Sequence, residues 1–404
     1  MKKFLIKKQS QYRNLNLTMF ESAITEGLLA MSIMTLFYTS ALGMNQAEIA
    51  LSQAIFTIVV MLLNLPLGWV ADRFSRKWAN IIGDFGVAVG FLLYSQVQNF
   101  AGVVACECWL GVFMAFSQGV DQSLLRHFAN KIDPSGKLFR RKTINLASWR
   151  YVLTLGLVLL GGPIGAISFR LAIALSGVPS LIGGIASIFI QDDSVRLQSQ
   201  YQNPFADMGR ISRETWQNHP LRRRILAFMV GREMTHGIIW VFTPMLIYVG
   251  VPVAVVSFAW AFNSLANLLG SRLAAKFALR LKDWQIFAVP ITLMIASMTI
   301  LSFQLNLGTV ILYALMGVAQ GWTGSTLMPM VQNKTRADEQ TTVISLAKVG
   351  SQLLYIPAVW LIGLAADFQL NFAPLMTLVI FAPLGLSLLV SLYREMAQTE
   401  RTVC

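Results

Sequence analysis

The sequence predicts an all-α membrane protein, with twelve transmembrane helices arranged as two pseudo-symmetric six-helix halves. Three observations predict it. Of 404 residues, 55% are hydrophobic and only 13% are charged, about half the charged share of a soluble domain. That shortfall runs along the whole length, so a single anchor does not account for it. Apolar stretches close to the ~20 residues that cross a bilayer recur throughout. And the Lys and Arg residues fall almost entirely in alternate gaps between those stretches.

The apolar windows are 15–42, 47–71, 79–97, 101–122, 143–167, 169–190, 225–248, 252–279, 285–303, 307–332, 343–366 and 370–392. They carry much of the 29 Gly and 13 Pro, which membrane helices tolerate better than soluble ones do. Some gaps are as short as Gly250-Val251-Pro252, whereas 123–142 and 191–224 are long and polar. The N-terminus and every second gap define one side of the membrane. That side holds all of the 32 Lys and Arg except Arg150, Arg170, Arg232 and Lys348. Loops that retain Lys and Arg are cytoplasmic, so both termini are expected in the cytoplasm and the protein in the cell's inner membrane. A missed or extra span would scramble the alternation, which supports the count of twelve.

The same pattern disposes of other function classes. A net charge of +13 would suggest nucleic acid in a soluble protein; here it follows from topology. The N-terminal run is basic, but no small-residue cleavage site follows the first window, which reads as a retained helix. Cys106, Cys108 and Cys404 lack the His and Cys companions of a metal site. No G-x-x-x-x-G-K-[ST] loop occurs, so the chain has no nucleotide engine. Neither an enzyme nor a cofactor is expected, and the energy source would be a proton gradient.

The 191–224 segment separates residues 1–190 from 225–404, and the two halves resemble each other. Met19 to Gly27 aligns with Met229 to Gly237. Gln118-Gly119 aligns with Gln320-Gly321, and Ile144 to Ala147 with Ile344 to Ala347. A parallel six-plus-six repeat is one of the recognised transporter architectures.

Between the second and third windows the chain reads Gly68-Trp69-Val70-Ala71-Asp72-Arg73-Phe74-Ser75-Arg76-Lys77. This resembles the G-x-x-x-D-R-x-x-R-K/R signature of the major facilitator superfamily, with Ser75 where the family has its second Gly. Asp72 with Arg73, Arg76 and Lys77 would form a charged latch between helices. The stretch Gly161-Gly162-Pro163-Ile164-Gly165 is similar to the G-P-x-x-G-G motif of drug/proton antiporters in that superfamily. Ser117 to Leu125, which contains Asp121, resembles a segment closing the fourth helix of exporter-like members. The resemblance implies proton-coupled export of small organic molecules by alternating access. It leaves open a narrow exporter of one secreted metabolite, such as a siderophore, or an uptake permease or facilitator.

Ionisable groups inside spans are costly and usually functional. Glu26, Glu107, Arg232, Glu233 and His236 lie well inside. The resemblance implies that spans one, four, seven and ten line a central cavity. Glu26 and His236 are repeat equivalents and are expected to face each other near the midplane, carrying protons together with Glu233 and Glu107. Arg232, Trp240, Phe37, Gln118 and Gln320 are expected to line the substrate cavity. Trp240 stands one helical turn after His236 and should share its face. Arg150 and Lys348 either attract anionic substrates or latch the gate. The expected partners are a small-molecule substrate, protons and the lipid bilayer, with the protein acting as a monomer.

Overall fold

The fold is that of a computed structural model, which describes residues 2–25, 27–73, 75–117, 120–135, 137–191, 204–335 and 340–403. It is 88% helical, and no described residue lies in a strand. All twelve predicted windows are occupied by helices. The first holds α1 (Lys2–Ile24), a short 3-10 turn (Leu29–Ser32), α2 (Met34–Leu36) and a π-helical turn (Phe37–Ala41). Then come α3 (Gln46–Arg73), α4 (Arg76–Tyr94), α5 (Phe100–Ser117), α6 (Val120–Ile132), α7 (Lys137–Ile167), α8 (Phe169–Leu175) and α9 (Gly177–Ile188). The second half holds α10 (Pro204–Gln217), α11 (His219–His236), α12 (Ile239–Tyr248), α13 (Val253–Phe277), α14 (Asp283–Phe303), α15 (Leu307–Ile311), α16 (Ala314–Gln332), α17 (Gln340–Phe368) and α18 (Phe372–Val403).

Among the described residues, eight windows are long and apolar enough on their own to cross a membrane, and the first makes a ninth if its two pieces, bent by 45°, count as one. Of the other three, α4 carries Arg76, Lys77 and Asp84, α7 holds the shorter apolar stretch Val152–Ile167, and the tenth window is interrupted between α15 and α16. The polar 191–224 segment, read as a loop, contains α10 and the start of α11.

Local chemistry sets the boundaries. Ser75 caps α4, its hydroxyl accepting from the Trp78 amide at 3.3 Å, so the serine at the signature's glycine position starts a helix. Asn218 caps α11 in the same way, with Pro220 in the first turn where its missing N–H costs nothing. The α12–α13 turn needs Gly250, whose φ of 88° few side chains adopt.

The chain folds as two compact units. Unit 1 comprises residues 1–44, 55–198 and 253–260; unit 2 comprises 45–54, 199–252 and 261–404. Two helices are therefore shared: the start of α3 belongs to unit 2 and the start of α13 to unit 1.

Unit 1 is built on α4, which packs against both α5 and α9. Small residues permit this: a Cβ at Gly177 would stand 2.8 Å from the Ala88 carbonyl, and one at Gly83 would stand 2.9 Å from the Phe113 carbonyl. In α7, Gly161 lies against the Leu29 carbonyl, Gly165 against Ile33, and Gly162 against Ser257 and the Ala254 carbonyl at the start of α13. The glycines of the Gly161–Gly165 motif are thus a packing face. Lys77 donates to the Ile188 carbonyl at 2.7 Å, closing the end of α9.

Unit 2 is built on α14, α16 and α18, with α11 against α16 and α17. Its charged knot is Arg224, 7% exposed, which bonds Asp283 and Glu395 and donates to the Pro220 carbonyl at 2.7 Å. At the start of α3 the Asp367 carboxylate accepts from the amides of Gln46 (2.6 Å) and Ala47 (2.9 Å). The last turn of α17 thereby caps α3 with a charge matched to its helix dipole. Asp367→Ala is expected to lower stability by about 1–2 kcal/mol, and Asp367→Asn by less, read as thermal unfolding in detergent.

Candidate functional site

The seventh window crosses as one span, with a two-residue irregularity in helical dihedrals. α11 ends at His236, α12 begins at Ile239, and Gly237 with Ile238 forms the irregularity. A Cβ at 237 would stand 3.0 Å from the Cδ1 end of the Ile362 side chain of α17.

Polar side chains gather around this irregularity. The His236 ring turns back on its own helix, placing Nδ1 2.8 Å from the Arg232 carbonyl oxygen. A carbonyl only accepts, so Nδ1 carries a hydrogen. The Thr235 hydroxyl donates to the same carbonyl at 2.8 Å. On the other side of the ring, Nε2 lies 3.2 Å from Nε2 of Gln320 on α16. Gln320 Oε1 in turn accepts from Asn267 Nδ2 of α13 at 3.1 Å. One turn before His236, Glu233 is 4% exposed and pairs with Arg232 Nε at 3.3 Å. Ser351 of α17 is also within hydrogen-bonding reach of it.

The helices hold this geometry rigidly. α13 and α16 meet backbone to backbone: Gly321 lies against the Asn267 carbonyl, Gly270 against the Val318 carbonyl, and a Cβ at Gly317 would stand 2.7 Å from the Asn263 carbonyl. Gly231 receives the Leu327 side chain, which brings α11 onto α16.

Other predicted residues are placed elsewhere. Trp240 meets different partners from His236. Its indole N–H donates to the Tyr355 hydroxyl at 3.0 Å, and it packs with Tyr355 against Ala50, Ala54 and Val359. Glu107 sits in unit 1, 4% exposed. Tyr94 donates to it at 2.8 Å, and the Tyr38 hydroxyl lies 2.7 Å from that of Tyr94 and 3.2 Å from the same carboxylate oxygen. Phe37 is fully buried beside both tyrosines, beneath the Arg170 guanidinium. Arg150 donates to the Ser22 carbonyl and hydroxyl, tying α7 to α1; Lys348 is exposed. Glu26 and Gln118 lie outside the described residues. Of Gly68, Asp72, Arg73 and Asp121 only the helical backbone is described; Arg76, Gly162 and Pro163 are in place on α4 and α7. Among the described residues no cluster of metal-ligating side chains occurs. Sequence reading missed Asn267 and Tyr94; Asn263 and Asn267, spaced one turn apart in an otherwise apolar stretch, are the signal that marks the first.

The profile of the Major Facilitator Superfamily matches residues 15–359. The chain belongs to that superfamily. It is therefore a multi-pass membrane transport protein that moves small molecules, and not an enzyme. Its fold is similar over 94% of its length to a crystal structure of a mutant of the nucleoside transporter NupG, covering 99% of that chain with a TM-score of 0.77 at 14% identity. A bacterial homologue of the human lysosomal transporter Spinster, in an inward-facing and unoccupied conformation, aligns with a TM-score of 0.69 at 12% identity, covering 95% of this chain and 94% of that one. An uncharacterized MFS-type transporter of Methanocaldococcus jannaschii is 28% identical over 115 residues, 28% of this chain. The match spans 29% of that relative's length.

Proposed function

We propose that this superfamily member is a proton-coupled exporter of small organic molecules, working by alternating access in the cell's inner membrane with both termini cytoplasmic. The observation that carries the reading is the His236 site. A membrane-embedded imidazole, held by a carbonyl and an amide, is a group that gains and loses a proton within a span. Glu233, one turn away and buried against Arg232, supplies a second carrier. Glu26, the repeat equivalent of His236, is the third. The Gly161–Gly165 motif supports the antiport direction, and the apolar surroundings of Trp240 and Tyr355 suit organic substrates. The protein is read as a monomer.

The test is flux in proteoliposomes under an imposed pH gradient, with substrates first found by susceptibility profiling of a deletion strain. Collapsing the gradient with a protonophore should stall export. His236→Gln should lower gradient-driven flux by at least about tenfold, while exchange at equal pH persists. Flux that ignores both the protonophore and the substitution would overturn the reading.

A second reading, an uptake permease, is supported by the full-length likeness to NupG, whose name gives it nucleosides as cargo. Accumulation of radiolabelled nucleoside by cells expressing the protein would favour it over export.

A further inference from the structure

We propose that Gln320 and Asn267 form a two-amide relay that reads the protonation state of His236 and delivers it to α13, the helix shared between the two compact units. The inference rests on the coupling role proposed for His236, but its geometry stands apart from any substrate.

The hydrogen positions follow from the chain of donors and acceptors. Nδ1 of His236 donates to the Arg232 carbonyl, so in the neutral ring Nε2 bears only a lone pair. The group facing it at 3.2 Å is Gln320 Nε2, a donor. With its nitrogen turned to the histidine, Gln320 offers Oε1 to Asn267 Nδ2 at 3.1 Å. Each contact is donor to acceptor only when His236 is neutral and Nδ1-protonated. The amide orientations and the ring tautomer are thus one coupled choice.

A proton arriving at Nε2 reverses this. The new N–H would point at an N–H₂, donor against donor. The favourable answer is a half-turn of the Gln320 amide, which presents Oε1 to the imidazolium. Gln320 Nε2 then faces Asn267 and needs an acceptor, so Asn267 must turn as well. Its Oδ1 is buried and accepts no hydrogen bond in the neutral arrangement; after the turn it accepts from Gln320. One proton gained at α11 therefore becomes a rotated side chain on α13, with no bond made or broken except the N–H at Nε2. Because Gly321 lies against the Asn267 carbonyl, α13 and α16 are locked together, and rotation of the amides is the cheap response.

The charged and titratable neighbours are few. On α11 itself they are Arg232 and Glu233, and on α17 Lys348 and Tyr355. α16 carries none, and Tyr313 precedes it. Arg272 and Lys276 of α13, Asp283 of α14 and Arg394 and Glu395 of α18 lie towards the ends of those helices. Asn267 is thus a positioning residue, acting on His236 only through Gln320.

Nitrogen-15 NMR of the full chain, labelled at histidine and reconstituted in lipid nanodiscs, tests this without a substrate. The chain has three histidines, and His236→Asn identifies the signal. His236 is expected as the Nδ1-protonated neutral tautomer. Asn267→Asp installs a group that only accepts, which forces Gln320 to turn its oxygen to the ring; the titration midpoint of His236 should rise by at least about one pH unit, tenfold in proton affinity. In a Gln320→Leu background the same aspartate should raise it by much less. Should Asn267→Asp fail to fold, Asn267→Leu should yield mixed tautomers. An Nε2-protonated neutral ring, an unmoved midpoint, or an equal rise with and without Gln320 would each overturn the relay. Loss of proton-driven flux in the transport assay bears on the coupling reading, whereas these spectra bear on the relay alone.

Discussion

Arg224→Met is expected to destabilise the protein by about 3 kcal/mol. Arg224 is 7% exposed and joins the starts of α11 and α14 to the late part of α18, through Asp283 at 2.7 Å and Glu395 at 2.9 Å. Deleting it takes the Arg224 cation from both carboxylates, leaving Glu395 with Arg223. Glu395 is 17% exposed and Asp283 35%, so water recovers part of the cost, which keeps the figure at the low end for a buried ion pair. Arg223→Met is the matched control. Among the described residues Arg223 pairs with Glu395 and is 30% exposed, and such pairs contribute under about 1 kcal/mol. Unfolding temperatures of the two variants in detergent decide it; equal losses would mean that the knot is ordinary surface charge.

Gly321→Ala should cost a comparable amount, about 3 kcal/mol, the top of the usual range for overpacking. The added methyl would land on the backbone carbonyl of Asn267. Neither helix offers a flexible side chain that could yield, so α13 and α16 must part. Gly324→Ala, one turn on in α16, meets nothing within 4 Å and should be neutral or slightly stabilising, since Ala is the better helix former. The Gly321 variant should also release Gln320 from Asn267, giving mixed His236 tautomers in a protein that still folds.

Much of this architecture was legible in the residues. Hydropathy located all twelve windows, because membrane crossing demands long apolar runs whatever the packing. The Asp72–Lys77 signature pointed to the superfamily, and Ser75 shows how a departure from a motif can be locally sensible: it caps a helix where glycine would only turn. What hydropathy does not register is irregularity inside a span. The seventh window, read as one span, is one span; its apolar turn residues Gly237 and Ile238 give hydropathy no sign of the irregularity between α11 and α12. The site itself was half legible. His236 and Gln320 stood out, one as an ionisable group and the other through the repeat. Asn267 did not, because a neutral amide in a membrane helix carries no charge signal and its role depends on a partner 53 residues away.

The sharing of α3 and α13 has a consequence for how the chain can be cut. Gly162 in unit 1 is filled by Ser257 and Ala254, residues that the second half supplies. Gly363 in unit 2 is filled by Gln46 and Ala50, which the first half supplies. Each half keeps an open socket for the other's helical end, the reciprocity of a domain-swapped dimer. Two polypeptides severed between residues 198 and 199 and made together should therefore find each other, whereas either made alone would present an unfilled glycine seam to lipid.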